Sequence, residues 1–437
     1  MRISPHAYTL FSVTCLFWAS SATAELVSPL GDKPFWAKLN TFQKTTTRAA
    51  FEEALNTVYT DGISGKSTIK VSDTGASIRK VADRDEMFEL EFLPEGEVSA
   101  EPISRYWTPA SELPPLAPGQ PALSGVHIAI DPGHIGGEWA KMEERFFQIG
   151  EDGPAVQEGD LTLLVSQMLK PELEALGAKV TLIRSTAEPL TKQRPATLES
   201  QARLFLTSKG FPNPPKTYED SSDEKKIFST QWQAEKLFYR TAEIRARAAK
   251  INGSIQPDLT LCVHFNAEAW GDPKDPQLVE SNHAHILVNG TYSLSELSYD
   301  DIRFEMLLRL LRGTHDEELG LASAVAPALA NSTGLDAYVY PGDNARQITE
   351  SPYVFSRNLL ANRLYQCPVL FFEPFVMNNS EVYQRLAAGD FIGRTLIDDS
   401  LKKSIYREYT RGIIEGLVSY YLQNRPRTEN PPLGTGG

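Results

Sequence analysis

From residue 126 onward, short apolar runs alternate with stretches whose apolar residues recur at helical spacing. The runs 126–130, 179–183, 258–265, 285–288 and 369–372 are rich in Val, Ile, Leu and Phe and read as strands. Between them, Leu161, Leu164, Val165, Met168 and Leu169 share one helical face, and Gly177 supplies a stop for a helix over 160–176. Pro171 inside that pattern is expected to kink it. Further helices are predicted over 222–251, 298–311, 316–330 and 401–422, the last carrying Ile405, Tyr409, Ile413, Leu417 and Tyr420 on one side. Alternating strands and helices predict an α/β fold, a three-layer αβα arrangement around a mostly parallel sheet.

The chain ahead of this region has a different pattern. Residues 25–112 combine a helical stretch over 35–60 with short strands at 67–71 and 87–92, and predict a small α+β domain. It holds no His and no cluster of catalytic type. Residues 113–125 (LPPLAPGQPALSG) are uncharged and rich in Pro and Gly, as a stiff linker would be. The α/β domain is then expected over 126–423, with a Pro/Gly-rich, disordered tail at 424–437. Residues 1–24 pair Arg2 with an apolar core over 8–18 and an Ala-Thr-Ala end, the layout of a secretory signal peptide cleaved after Ala24. That core is too short to span a bilayer. The mature chain is therefore expected to be exported, periplasmic or extracellular, with no transmembrane segment.

Composition narrows the function classes. A net charge of -13 with no compact basic block argues against nucleic-acid binding. The two cysteines beyond the signal peptide, Cys262 and Cys367, are too few for a disulfide scaffold or a cysteine zinc site, and both sit in or beside apolar strands, where buried free thiols are common.

The chemistry gathers at strand ends. The first strand runs into Asp131-Pro132-Gly133-His134, the strand over 258–265 reaches His264, and the strand over 369–372 is followed by Glu373. Glu158 stands just before the first helix. In a parallel sheet the carboxyl ends of the strands share one edge, so these four side chains can converge. Two imidazoles and one carboxylate form a ligand set of catalytic zinc, and a second carboxylate can serve as general base. Taken singly, each has a structural alternative: a hydrogen-bonded His, an ion-paired Glu373, or a Glu158 that complements the helix dipole.

The order of these landmarks resembles the zinc-dependent N-acetylmuramoyl-L-alanine amidases of the type-3 amidase family. The matching residues are Asp131-Pro132-Gly133-His134, then Glu158 opening a helix, Ile183-Arg184 closing a strand, Arg245 on a helix, His264-Phe265-Asn266-Ala267, and Pro368 to Asn379 around Glu373. The resemblance covers about residues 126–422. It implies that His134, Glu158 and His264 ligate Zn2+ and that Glu373 is the catalytic carboxylate. It also implies a peptidoglycan substrate, cut between N-acetylmuramic acid and the L-alanine of the stem peptide.

The sequence departs from the family pattern in three places. The gap from His134 to Glu158 is long and includes Trp139 and the charged run 141–145, which leaves Glu151 as an alternative ligand. The regions 185–256 and 281–312 are enlarged, as lids over the cleft or as surface elaboration. His285, on an apolar strand, is a further candidate near the metal, and Asn266 and Arg357 are candidate substrate contacts. Two other readings remain: a zinc amidohydrolase or carboxypeptidase acting on another small peptide, and a non-catalytic wall-binding protein. An enzyme that cuts load-bearing wall also implies restraint by a lid or a protein activator.

Overall fold

Residues 26–426, apart from 83, 221 and 273, are described by a computed structural model. The expected signal peptide and residues 427–437 of the expected tail lie outside the described residues. The first residues of that tail are ordered, contrary to expectation: Asn424 ends a helix, and Arg425 is buried. A seven-stranded sheet occupies the centre. Its strands are β1 (His127–Pro132), β2 (Lys179–Leu182), β3 (Leu259–Val263), β4 (Ile286–Val288), β5 (Arg346–Gln347), β6 (Val354–Ser356) and β7 (Val369–Phe372). Their spatial order is β5-β6-β4-β7-β3-β1-β2. The run β2-β1-β3-β7 is parallel throughout, and β4 and β6 pair parallel. β4 opposes β7, and β5 opposes β6.

Strict alternation along each strand builds the two cores. Ile128, Ile130, Leu259, Leu261, Val263, Ile286, Val288, Leu370 and Phe372 face one side. They pack under the helices Glu158–Ala175, Thr314–Thr333 and Ile405–Asn424. Ala129, Cys262, Leu287, Val369 and Phe371 face the other, with Ala248, Ile251 and Ala361 over them. These are the three expected layers. The helix Ile405–Asn424 lies so close to its neighbour that a Cβ on Gly416 would sit 2.4 Å from the Val325 Cα, so only glycine permits that approach. Both Cys262 and Cys367 are buried free thiols.

The N-terminal unit is a three-stranded antiparallel sheet, Ile69–Val71, Gly75–Arg79 and Met87–Glu91, under the helix Arg48–Ala54. Its core residues Phe51, Leu55, Ile78, Phe88 and Leu90 form one cluster with Ile302, Met306, Leu307 and Leu310 of the helix Asp300–Leu311. That helix is buried on nearly every side, its charged residues included, because it packs against several neighbours. Arg303, fully buried, donates to the carbonyls of Arg79, Lys80 and Leu297 and to Asp300. This part of the enlarged 281–312 region is thus a buried bridge between the N-terminal unit and the helices Thr314–Thr333 and Leu360–Leu364. The 113–125 stretch is also pinned: Leu113 and Leu123 enter the main core, and Arg425 donates to the carbonyls of Pro114 and Ser124.

Several elements go beyond the sequence expectations. The connection 185–256 contains a helix, Pro195–Ser208, whose buried Leu198, Ala202 and Leu206 recur every four residues behind a proline at the first helical position. The long run after it is helical from Thr230 to Ile255, with π-helical turns at Leu237–Ala242 and Ile251–Ile255. β5, β6 and the middle N-terminal strand are too short, and in part too polar, for periodicity to reveal. The helix Glu158–Ala175 begins two residues earlier than expected and contains Pro171.

Candidate metal centre and its cleft

β1, β3 and β7 are adjacent and parallel, so His134, His264 and Glu373 emerge at one sheet edge. The first residue of the helix Glu158–Ala175 arrives at the same place. His134 Nε2 lies 3.1 Å from Glu158 Oε2, and His264 Nδ1 lies 3.0 Å from Glu158 Oε1. One ligand atom from each of the three residues falls within 4.8 Å of the others. Glu158 is 1% exposed, and its Oε1 also accepts the Phe265 amide. Glu151 is exposed and does not join this group. Glu373 lines the same cleft, of about 530 Å3, together with Arg145, Asn266, Trp270 and Arg357.

The backbone that carries His134 is held by two buried arginines. Arg247, 1% exposed, donates from Nη1 to Asp131 (2.9 Å) and the Pro132 carbonyl (2.7 Å), from Nη2 to the His134 carbonyl (2.7 Å), and from Nε to Glu243 (2.8 Å). Arg184 donates to the carbonyls of Pro132, Gly133 and Gly159. Tyr365 donates to the second oxygen of Asp131. His134 itself sits at φ 54°, a left-handed conformation that a non-glycine residue holds only when its surroundings impose it. Gly133 must lack a side chain, because a Cβ there would fall 2.3 to 2.5 Å from the His264 ring. That ring cannot retreat, being stacked on Phe371 with centroids 4.1 Å apart. Tyr409 fixes the His264 backbone by donating to its carbonyl at 2.9 Å.

Two functional neighbours were missed among the charged residues 141–145. Glu143, 1% exposed, accepts from the amides of Ile135 and Gly136 and faces His134 Nδ1 at 3.5 Å. Arg145 Nε lies 3.0 Å from Glu158 Oε2. Their only sequence signal was an unexplained charge run within the excursion after His134. Likewise Arg247, two residues after Arg245, is the arginine that reaches the His134 loop.

The charges interact strongly. Burial opposes ionisation of Glu158, but the two imidazoles override it and hold its carboxyl well below the usual range. Burial pushes Glu373 the other way, well above the usual range; the Glu158 charge adds to this while Arg145 and Arg357 oppose it. Two neighbouring carboxylates thus have environments that drive their protonation apart. Burial alone would lower His134, yet Glu158 and Glu143 raise it, whereas burial prevails at His264 and lowers it.

His285 does not join the cluster. It is 3% exposed, and its Nε2 pairs with the Tyr340 hydroxyl at 2.9 Å. Burial, with help from His283 and Arg357, pulls its pKa down to about 3. The unfolded chain therefore binds a proton below pH ~6.5 that the native state refuses. Stability attributable to this residue is intact above that pH and falls as pH drops toward 3, by about 2 kcal/mol at pH 5. His285→Gln should flatten the acid limb of a urea-denaturation profile between pH 7 and 5; an unchanged slope would count against this assignment.

No protein-family profile matches the chain, and no curated protein matches it by sequence. Solved structures do resemble it. The N-acetylmuramyl-L-alanine amidase Ami1 from Mycobacterium smegmatis is 14% identical, over 69% of this chain and 99% of its own, with a TM-score of 0.37. The CwlD amidase from Clostridioides difficile, solved in complex with the GerS lipoprotein, is 14% identical over 68% and 99%, with a TM-score of 0.37. The N-acetylmuramoyl-L-alanine amidase AmiC2 of Nostoc punctiforme is 16% identical over 69% and 97%, with a TM-score of 0.33. No helix among the described residues is long and apolar enough to cross a membrane.

Proposed function

We propose that this chain is an exported, zinc-dependent peptidoglycan amidase that cleaves between N-acetylmuramic acid and the L-alanine of the stem peptide. The observation that carries the reading is the convergence of His134, Glu158 and His264 beside a second carboxylate, Glu373, on an open cleft. The substrate comes from the motif resemblance.

The donor set fits zinc. Donors about 2.1 Å from a tetrahedral zinc stand about 3.4 Å from one another, and one donor atom from each of His134, Glu158 and His264 lies within 4.8 Å of the others, a span that small side-chain adjustments would close around an ion. A zinc ion held there supplies Lewis acidity toward water and the scissile carbonyl. Glu373 takes the proton from the attacking water and returns it to the departing L-alanine amine. Burial and Glu158 favour its protonated form, while a cation bound beside it would favour the carboxylate, so both forms that the two transfers need are supported. Arg357 and Asn266 line the cleft where the substrate's carboxylates and amides would lie. Glu143 orients His134 through Nδ1, leaving Nε2 directed at the site.

Glu143→Gln should weaken zinc affinity by about 10- to 100-fold, read by competition with a chromogenic chelator. An affinity equal to wild type would remove Glu143 from the site. The proposed function itself is tested by digesting purified sacculi and identifying products by mass spectrometry. Free stem peptides with intact glycan are expected. Shortened peptides would favour the carboxypeptidase reading, and undigested sacculi the wall-binding one.

A further inference from the structure

A cavity of about 270 Å3 opens where four segments meet: residues 32–38, the helix Glu243–Lys250, the buried helix Asp300–Leu311 and residues 363–366. In a chain of net charge -13, its lining has more cations than anions. Arg312 is 5% exposed, yet among the described residues no carboxylate lies within ion-pairing distance of it. Its one hydrogen bond runs from Nε to the Ser104 carbonyl at 3.4 Å, and Nη1 is buried without a partner. Arg245 comes no nearer than 3.9 Å to Asp32 and 3.7 Å to Asp301, and its Nε and Nη2 are also buried without partners. Of the cavity's three carboxylates, Asp32 is fully exposed and the other two have further partners. Asp301 accepts from the amide and hydroxyl of Ser28. Glu305 pairs with Arg363 at 2.7 Å, and burial pushes its carboxyl up toward the neutral form. Lys38, exposed, completes the rim; desolvation at the cavity mouth and the Arg312 charge pull its pKa down.

A buried guanidinium without a counter-anion costs several kcal/mol. Arg312 is such a group, and Arg245, half-buried and paired only loosely with Asp301 at 3.7 Å and Asp32 at 3.9 Å, is incompletely compensated; with an ammonium at the rim they form an arrangement that an incoming anion would relieve. The guanidinium fork matches tetrahedral oxyanions. The volume lies just below the range of ordinary organic ligands, which favours a small anion or the head of a phosphomonoester. We propose that this cavity binds a phosphate-type oxyanion through Arg245, Arg312 and Lys38. The site does not depend on the reading of the metal centre. It does touch the same machinery: the helix that presents Arg245 here presents Arg247, two residues on, to the His134 loop.

The test is isothermal titration of the full mature chain with inorganic phosphate at constant ionic strength. A second arm measures co-sedimentation with phosphatidic acid vesicles against phosphatidylcholine vesicles. Wild type should bind phosphate with a Kd below about 1 mM. Arg312→Met and Arg245→Gln should weaken it about tenfold or more, a loss of at least about 1.4 kcal/mol. Arg312→Met is expected to fold, since the removed head makes a single long hydrogen bond. Lys38→Gln, at an exposed position, provides a second variant free of folding effects and should weaken binding about threefold. Binding of inorganic phosphate identifies a free anion as sufficient, and binding of phosphatidic acid vesicles alone identifies a lipid headgroup; either, when lost in the variants, supports the site. Binding of equal strength in wild type and variants, or none in either arm, overturns it.

Discussion

Glu373→Gln is expected to lower turnover of peptidoglycan by about 10^3-fold while leaving zinc content and stability near wild type. The amide matches the carboxylate in size and can neither accept nor return a proton. It stands outside the His134, Glu158 and His264 group, so ligation should not suffer. Removing a carboxyl that burial and Glu158 already disfavour in its charged form should, if anything, relieve repulsion. The check pairs steady-state kinetics with metal analysis of the same sample. Loss of activity together with loss of zinc would instead make Glu373 a ligand, and retained activity would place the base elsewhere.

The second large effect is expected at Arg247. Arg247→Met removes a fully buried guanidinium whose charge is favoured by Asp131 and Glu243 against the cost of burial. It strands both carboxylates and frees the carbonyls of Pro132 and His134. Breaking a buried pair from one side costs about 3–5 kcal/mol, a large share of a typical total stability of roughly 5–15 kcal/mol. Urea denaturation should show a lower midpoint with an unchanged slope. Arg247→Lys should recover little, because one ammonium cannot reach four acceptors in the guanidinium's plane. Because Arg247 also restrains the left-handed His134, zinc affinity should fall in any fraction that stays folded. A midpoint close to wild type would show that Asp131 and the loop are held mainly by Arg184 and Tyr365.

Where the chain's signals were local, the sequence was readable. β7 coincides with the apolar run 369–372, and the ends of β1 and β3 leave His134 and His264 where a parallel sheet would put them. Period-two alternation in those strands was masked, since both faces are buried and every position is apolar. Short or polar elements escaped: β5 has two residues, and Gly75–Arg79 shows its alternation only at Ala76 and Ile78. The helix Pro195–Ser208 escaped too: proline at its start and apolar residues every fourth position carry a helical signal, but the irregular Pro/Asn segment that follows it obscured that signal.

By itself the sequence determined the α/β class and the sheet edge, and it singled out His134, Glu158, His264 and Glu373 as the side chains able to meet there, because strand ends and turn residues are encoded by neighbours along the chain. Only the tertiary structure decided how the Asp-Pro-Gly-His turn is held. Arg247 lies 116 residues from Asp131, and nothing local distinguishes it from Arg245 on the same helix. Glu143 and Arg145 likewise acquired meaning only when the long excursion after His134 folded back on the site. The N-terminal unit's core, shared with a helix more than 200 residues away, belongs to the same class. These contacts depend on which faces meet across large chain separations, and residue periodicity carries no information about that.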